Sequence, residues 1–292
     1  IRRAADGKLY VAGLYLDLGQ PSDGRGLEWV LAQREIVIRD GRVRWTDAQR
    51  GAPTLALTGV TVRLRNDWLH HQLALKATPP AALAGPLDVR ADFAHPAFGA
   101  RVSNTSMWTG ELYADLRDTD VAAWKTWLDF PFELHSGGGS LRTWLSFDQQ
   151  RLTAFTADIG LRDVSAVLAR DLPLLDLQQL TGRIAAREEL PPLVSGGVRQ
   201  TGAAKFGARG HSLEITNLTL TTSDGLVMAP TSLSEKFTAA AGPRPEKVEI
   251  RAPQLDLRTL AGIASRLPLT PQQRTLLANT APSGLLRDFS AE

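Results

Sequence analysis

The strongest constraint on this chain is a hydrophobic alternation of period 2 that slips by one residue and then resumes. In the stretch Glu35 to Arg65 (EIVIRDGRVRWTDAQRGAPTLALTGVTVRLR), Leu55 and Leu57 occupy odd positions, whereas Val60, Val62 and Leu64 occupy even ones, with the slip at Thr58-Gly59. One extra residue in a strand is a β-bulge, which returns the apolar side chains to the same face while bending the sheet. The same spelling recurs at Ile159-Gly-Leu161-Arg-Asp-Val164 and from Leu213 through Ile215 to Leu218 and Leu220, with slips at Asp163 and Asn217. No helix tolerates this pattern. A curved sheet of repeated bulged strands, apolar on one side, is the expectation.

Upstream in the same stretch, Asp40-Gly41 spells a two-residue type I′ hairpin turn, which would pair Ile38 with Val43 and Ile36 with Trp45. Those four side chains then share one face, and Val37, Arg39, Arg42 and Arg44 take the other.

Along the chain, Leu9 to Leu18 reads as a strand and Gly19 to Gly26 as a loop. His70 to Ala77 places Leu73, Leu75 and Ala77 on one face and is stopped by Pro79-Pro80. Leu87, Val89, Ala91 and Phe93 alternate with Asp88, Arg90 and Asp92, a strand with one dry and one wet side. A unit then occurs twice. After the strand at Glu111 to Leu116, Asp120 caps a helix bearing Val121, Trp124, Trp127 and Leu128 that ends at Pro131, Gly137 to Gly139 break the chain, and Ser140 to Phe147 restarts as a strand. After the strand at Lys247 to Arg251, Asp256 caps a helix bearing Leu257, Leu260, Ala264 and Leu267 that ends at Pro268. Thr270 to Ala278 forms a further helix with Pro271 in its first turn, and Ser283-Gly284-Leu285 echoes the restart. Between these units, Leu152 to Leu168 and Leu174 to Arg187 are strand-rich, and Lys205 to Leu220 and Leu226 to Ala239 form another meander, with Asp224-Gly225 as a hairpin turn and Glu188 to Gly202 as a long loop. On the order of sixteen to eighteen strands result, which at ~4.8 Å spacing would run nearly 80 Å. Such a sheet closes, folds over or forms a long trough.

Chemistry is sparse. With no cysteine among 292 residues, disulfides, thiolate metal sites and Cys nucleophiles are excluded. The 33 Lys and Arg residues balance 31 Asp and Glu, without a run of like charge able to grip a nucleic-acid backbone. The histidines at 70, 71, 95, 135 and 211 lack metal-ligand spacing, and His70-His71 reads as a solvated loop. Ser136-Gly-Gly-Gly precedes a strand and lacks the Lys-Ser/Thr of a phosphate-binding loop. Trp45, Trp124, Trp127 and Trp144 sit among charges of both signs and read as core and interface packing. No apolar run reaches the ~18–20 residues of a membrane-spanning helix. The chain opens in mid-pattern without an initiating Met, so it reads as an excised segment, with an anchor expected upstream. No enzyme, cofactor or metal is expected. What remains is the continuous apolar face, which a sandwich core or an acyl-lined trough would explain equally from alternation alone.

Several of these stretches carry a family resemblance. Asp40 to Trp45 (DGRVRW), Leu55 to Leu64, Leu73 to Phe93 (LALKATPPAALAGPLDVRADF), Gly110 to Trp124, Leu172 to Ile184 (LPLLDLQQLTGRI) and Thr222 to Leu226 (TSDGL) together resemble the YhdP-type AsmA-like proteins of Gram-negative bacteria. The resemblance implies a relative of TamB and of bridge-like lipid transfer proteins. In such a protein a mainly β, repeat-built, curved and twisted antiparallel sheet forms an elongated apolar groove, with short helices between strand blocks. Residues 1–292 would be an internal segment of that groove, in approximate repeat blocks 1–110, 111–246 and 247–292, the last starting a next block. The implied function is that of a periplasmic segment of an inner-membrane-anchored conduit. It would shield phospholipid acyl chains during passive transfer to the outer membrane, and other envelope proteins would meet the ends of the full-length protein. The alternative is a non-catalytic envelope scaffold with a closed, dry β core. The residues expected to line the groove are Ile36, Ile38, Val43, Trp45, Leu55, Leu57, Val60, Val62, Leu64, Leu73, Leu75, Leu87, Val89, Phe93, Leu141, Leu145, Ile159, Leu161, Leu213, Ile215, Leu218 and Leu220.

Overall fold

The computed structural model describes all residues except 12–13, 17–24, 98–101, 103, 131 and 190–205. In chain order the elements are β1 (Arg2–Arg3), β2 (Leu9–Val11), β3 (Leu14–Leu16), α1 (Arg25–Ala32), β4 (Glu35–Asp47), β5 (Ala52–Asp67), β6 (His70–Thr78), β7 (Leu87–Ala94) and β8 (Thr109–Asp120). They continue as β9 (Glu133–Asp148), β10 (Arg151–Val167), β11 (Leu175–Glu188), β12 (Gly210–Thr222), β13 (Val227–Thr238), β14 (Lys247–Asp256), α2 (Leu257–Ile263), α3 (Pro271–Thr280) and β15 (Leu285–Ala291). Among the described residues all fifteen strands join one sheet, an antiparallel meander from β4 to β15, with β1 parallel to β4 and followed by β2 and β3. The order is linear. Because β15 and β3 do not pair, the sheet is open among the described residues.

The bulges lie where the phase slips. Gly59, Asp163 and Asn217 have φ of +56°, +53° and +50°, each beside a shift in strand register. Asp40-Gly41 corrects the hairpin expectation. Asp40 also has φ +52°, but β4 runs straight through it, and Ile36, Ile38, Val43 and Trp45 pair with Leu64, Val62, Leu57 and Leu55 of β5. A single left-handed residue before glycine serves a turn or a bulge equally well. Bulging lets β4 match the whole of the 16-residue β5, whereas turning would leave two short arms. The face assignment survives because the bulge changes phase as the turn would have done.

Four further expectations change. Leu9 to Leu18 is a hairpin, β2 against β3, rather than one strand. Residues 17–24 of the expected loop at Gly19 to Gly26 lie outside the described residues, and α1 begins at Arg25. Gly137 to Gly139 do not break the chain but lie within β9. The helix expected after Asp120 is a single 3₁₀ turn, Ala123–Thr126, with Asp120 Oδ1 accepting from the Ala123 amide at 3.0 Å. So short a helix cannot hold itself together. This one is tied externally, by Trp127 Nε1 donating to the Pro53 carbonyl at 3.2 Å and by the Arg50–Asp129 ion pair. The second helical unit forms as expected. Asp256 Oδ1 accepts from the Arg258 and Thr259 amides at 3.0 and 3.2 Å, and Thr270 and Gln273 make a capping box with Pro271 in the first turn of α3. The described strands number fifteen, against the sixteen to eighteen expected. Of the long loop at Glu188 to Gly202, Glu188 ends β11, buried and paired with Arg151 at 2.5 Å, and 190–202 lie outside the described residues.

Where β1 meets β4, Asp47 is 1% exposed beneath Arg3, whose Nε donates to Oδ1 at 2.9 Å, with Arg50 alongside. The Arg3 hydrogen bond holds the Asp47 carboxyl below the usual carboxylate range against the opposing effect of burial. The two arginines, rather than a deep core, cover it. Arg3→Ala should therefore cost about 1–3 kcal/mol by denaturant melting. The stabilisation is complete above the unfolded carboxylate value of ~4 and is lost as pH falls through the lower folded value. In Arg3→Ala the acid-limb slope between pH 5 and 3 should flatten.

Candidate functional site

Residues directly opposed across a ladder share a face, so the register alone places the expected lining. One rung runs without interruption through ten strands: Ile38, Val62, Leu75, Val89, Ala114, Thr143, Ala157, Ile184, Ile215 and Leu233. A second runs Ile36, Leu64, Leu73, Ala91, Leu112, Leu145, Phe155, Ala186 and Leu213. On the other side of the first, Leu87, Leu116, Leu141 and Ile159 align, and Leu161 leads through Leu180 to Leu220 and Met228. Trp45 faces Leu55, Val43 faces Leu57, Val60 faces Gly41, Phe93 lies between His71 and Gly110, and Leu218 faces Thr231. Every expected lining residue thus falls on one face. The structure adds Leu112, Ala114, Leu116, Phe155, Ala157, Ile184 and Leu233, whose period-2 alternation in β8, β10, β11 and β13 was the available signal.

Burial across this face is banded. Along the rim formed by the β4–β5, β6–β7, β8–β9, β12–β13 and β14–β15 connections, Leu55, Ala77, Leu87, Leu134, Val164, Leu177 and Leu220 are buried. The cover there comes from rim segments: Val121, Ala122 and Phe130 after β8, and Ile263 and Leu267 in the helical unit after β14. Val60, Ala77 and Leu87 form a second buried cluster with Val43, Leu57, Val62, Leu75 and Val89 of their own and adjacent strands. Toward mid-strand Val62, Leu75, Val89, Leu145, Ile159 and Ile215 are only half-buried, and Ile38 is 50% exposed. An incompletely covered apolar strip therefore crosses the sheet, with the small Ala114, Thr143 and Ala157 at its middle.

The opposite face is polar and carries several paired charges. Arg63 pairs with Glu35 at 2.7 Å, Arg90 with Asp88 at 2.9 Å and Arg183 with Asp158 at 2.5 Å. The Arg183 hydrogen bond keeps the Asp158 carboxyl below its usual range. Trp144 belongs to this face rather than to the core, since it opposes Tyr113 with ring centroids 5.3 Å apart. Arg90 covers Tyr113 at 6.0 Å and Arg183 covers Trp144 at 5.7 Å, so the ring faces that could stack a sugar or base already carry guanidinium groups. The depression of about 320 Å³ beside them mixes Arg63, Arg65 and Arg90 with Asp92 and Glu111. Among the described residues no three His, Cys, Asp or Glu side chains converge as a metal site. No helix among them is long and apolar enough to cross a membrane.

Sequence reasoning missed one cluster. His71 is not in a solvated loop but in β6, 4% exposed, stacked with Trp108 and His95 at the opposite rim.

No curated protein and no solved structure matches the chain. A family model described as YhdP protein matches residues 2–292, and the chain therefore belongs to the YhdP protein family.

Proposed function

We propose that the apolar strip carries the acyl chains of phospholipids, and that the chain is a periplasmic segment of an inner-membrane-anchored conduit passing lipid to the outer membrane without chemistry of its own. The observation that carries this reading is the unbroken ten-strand rung from Ile38 to Leu233 on an open sheet. At ~4.8 Å between strands it extends about 43 Å, well beyond the ~15 Å hydrocarbon depth of one bilayer leaflet. Burial of a large apolar side chain is favourable by about 1.5–3 kcal/mol, so a half-covered strip of this length gains from an apolar occupant. The charges on the other face keep that side in water. Membership of the YhdP family supports an envelope role. Phospholipids are the proposed ligands, and other envelope proteins would abut the ends of the full-length molecule.

A photo-crosslinking amino acid at Val89 and, separately, at Arg90 in the full-length protein in cells tests this reading. The two neighbours occupy opposite faces. Phospholipid captured at Val89 and absent at Arg90 is the expected result. No capture at Val89, Leu57 or Leu145 in stably folded protein would leave a scaffold working through its edges as the better account.

A further inference from the structure

At the rim opposite the helical covers, three rings meet. His71 lies 4.9 Å from Trp108 and 5.2 Å from His95, with ring planes 14° and 16° apart, and His95 lies 5.9 Å from Trp108. The hydrogen bonds fix both tautomers. His71 Nδ1 is 2.8 Å from Asn66 Oδ1, while Asn66 Nδ2 donates to the carbonyls of Val30 and Gln33 at 3.1 and 2.6 Å. Asn66 Oδ1 can only accept, so the His71 proton is on Nδ1. His95 Nδ1 is 3.0 Å from the Pro96 carbonyl, which also only accepts. Both Nε2 atoms are buried without a partner, and in neutral His71 the Nε2 carries only a lone pair. Near-parallel rings cannot direct two in-plane lone pairs at one ion, so this is not a metal pair.

What the arrangement does is penalise a proton. Protonating His71 Nε2 would create a buried donor with no acceptor beside a second imidazole. The charged groups on the surrounding elements are Glu28 and Arg34 at the helix end, Arg65 and Asp67 of β5, His70 of β6, Arg90 and Asp92 of β7, Glu111 of β8 and Asp148 of β9. None reaches either Nε2, and Asp92 lies 3.9 Å from His70 instead. Burial, then the like charges of His95 and His70, lower the affinity of His71 for a proton. The link outward is Asn66, which caps the C-terminal carbonyls of α1 while accepting from His71.

We propose that the His71–His95–Trp108 stack is an acid-sensitive latch: a proton taken from solvent by the buried His71 imidazole expels that ring, removes the donor that orients Asn66, and frees α1 from the sheet. This holds whatever the apolar strip carries. The sign follows from the neutral form being the folded one. The latch is fully held above the free imidazole value of ~6.5 and weakens by roughly tenfold per pH unit as pH falls from there toward the lower folded value.

Amide hydrogen exchange of Arg25–Ala32, corrected for the intrinsic effect of pH, should show protection falling about tenfold or more between pH 7.5 and 5.0. In His71→Phe, which keeps a ring in the stack but cannot bind a proton, protection should no longer depend on pH, whatever its level. If that variant does not fold, NMR titration of wild-type His71 decides, because its protonation must coincide with the loss of protection in α1. Protection equal at the two pH values, a loss that persists in folded His71→Phe, or a His71 that titrates while α1 stays protected would overturn the latch.

Discussion

Gly139→Val should be among the most damaging single substitutions in the chain, with an expected loss of about 4 kcal/mol. Gly139 has φ +143°, and a Cβ there would lie 2.1 Å from the Gly160 carbonyl oxygen and 3.0 Å from Leu161 Cα, backbone atoms of the next strand that cannot swing aside. Overpacking costs typically 1–3 kcal/mol and a forbidden backbone conformation a similar amount. Gly225→Ala provides the comparison: φ is +88°, but nothing lies within 4 Å of the added carbon, so strain of about 1–2 kcal/mol is all that remains. Urea midpoints at constant slope would separate the two. Equal losses would mean that close strand approach at the bulge line does not govern stability.

A carboxylate at two positions on the apolar face should act in opposite ways. Val60 is 1% exposed within the cluster of Ala77 and Leu87, so Val60→Asp should cost about 4 kcal/mol or leave the chain unfolded. Ile38, on the long rung and 50% exposed, should tolerate Asp within about 1 kcal/mol. If lipid occupies the strip, Ile38→Asp in the full-length protein should nevertheless cut phospholipid capture at Val89 several-fold, since both residues lie on the rung through Val62 and Leu75. Unchanged capture with a correctly folded variant would place the lipid path elsewhere. A large stability loss at Ile38 would mean that the strip is packed shut.

Which side chains share the dry face, where most strands bend and where α2 and α3 start could all be read from the residues alone. Each of these is set within a few residues: alternation has a period of 2, a slip at Gly59, Asp163 or Asn217 marks an extra residue, and Asp256 and Thr270 cap amides two or three positions ahead. Features that depend on a distant partner emerge only once the chain is folded. Asp40-Gly41 is a bulge because β5 offers a full-length ladder, and the segment after Asp120 is a tied 3₁₀ turn because Pro53 and Arg50 hold it from more than seventy residues away. His71 looked solvated beside His70, yet Asn66, His95 and Trp108 close around it from three other places in the chain. The openness of the sheet is of the same kind. Alternation specifies which face avoids water, whereas the pairing order from β15 to β3 decides whether another sheet, a rim segment or a ligand covers it.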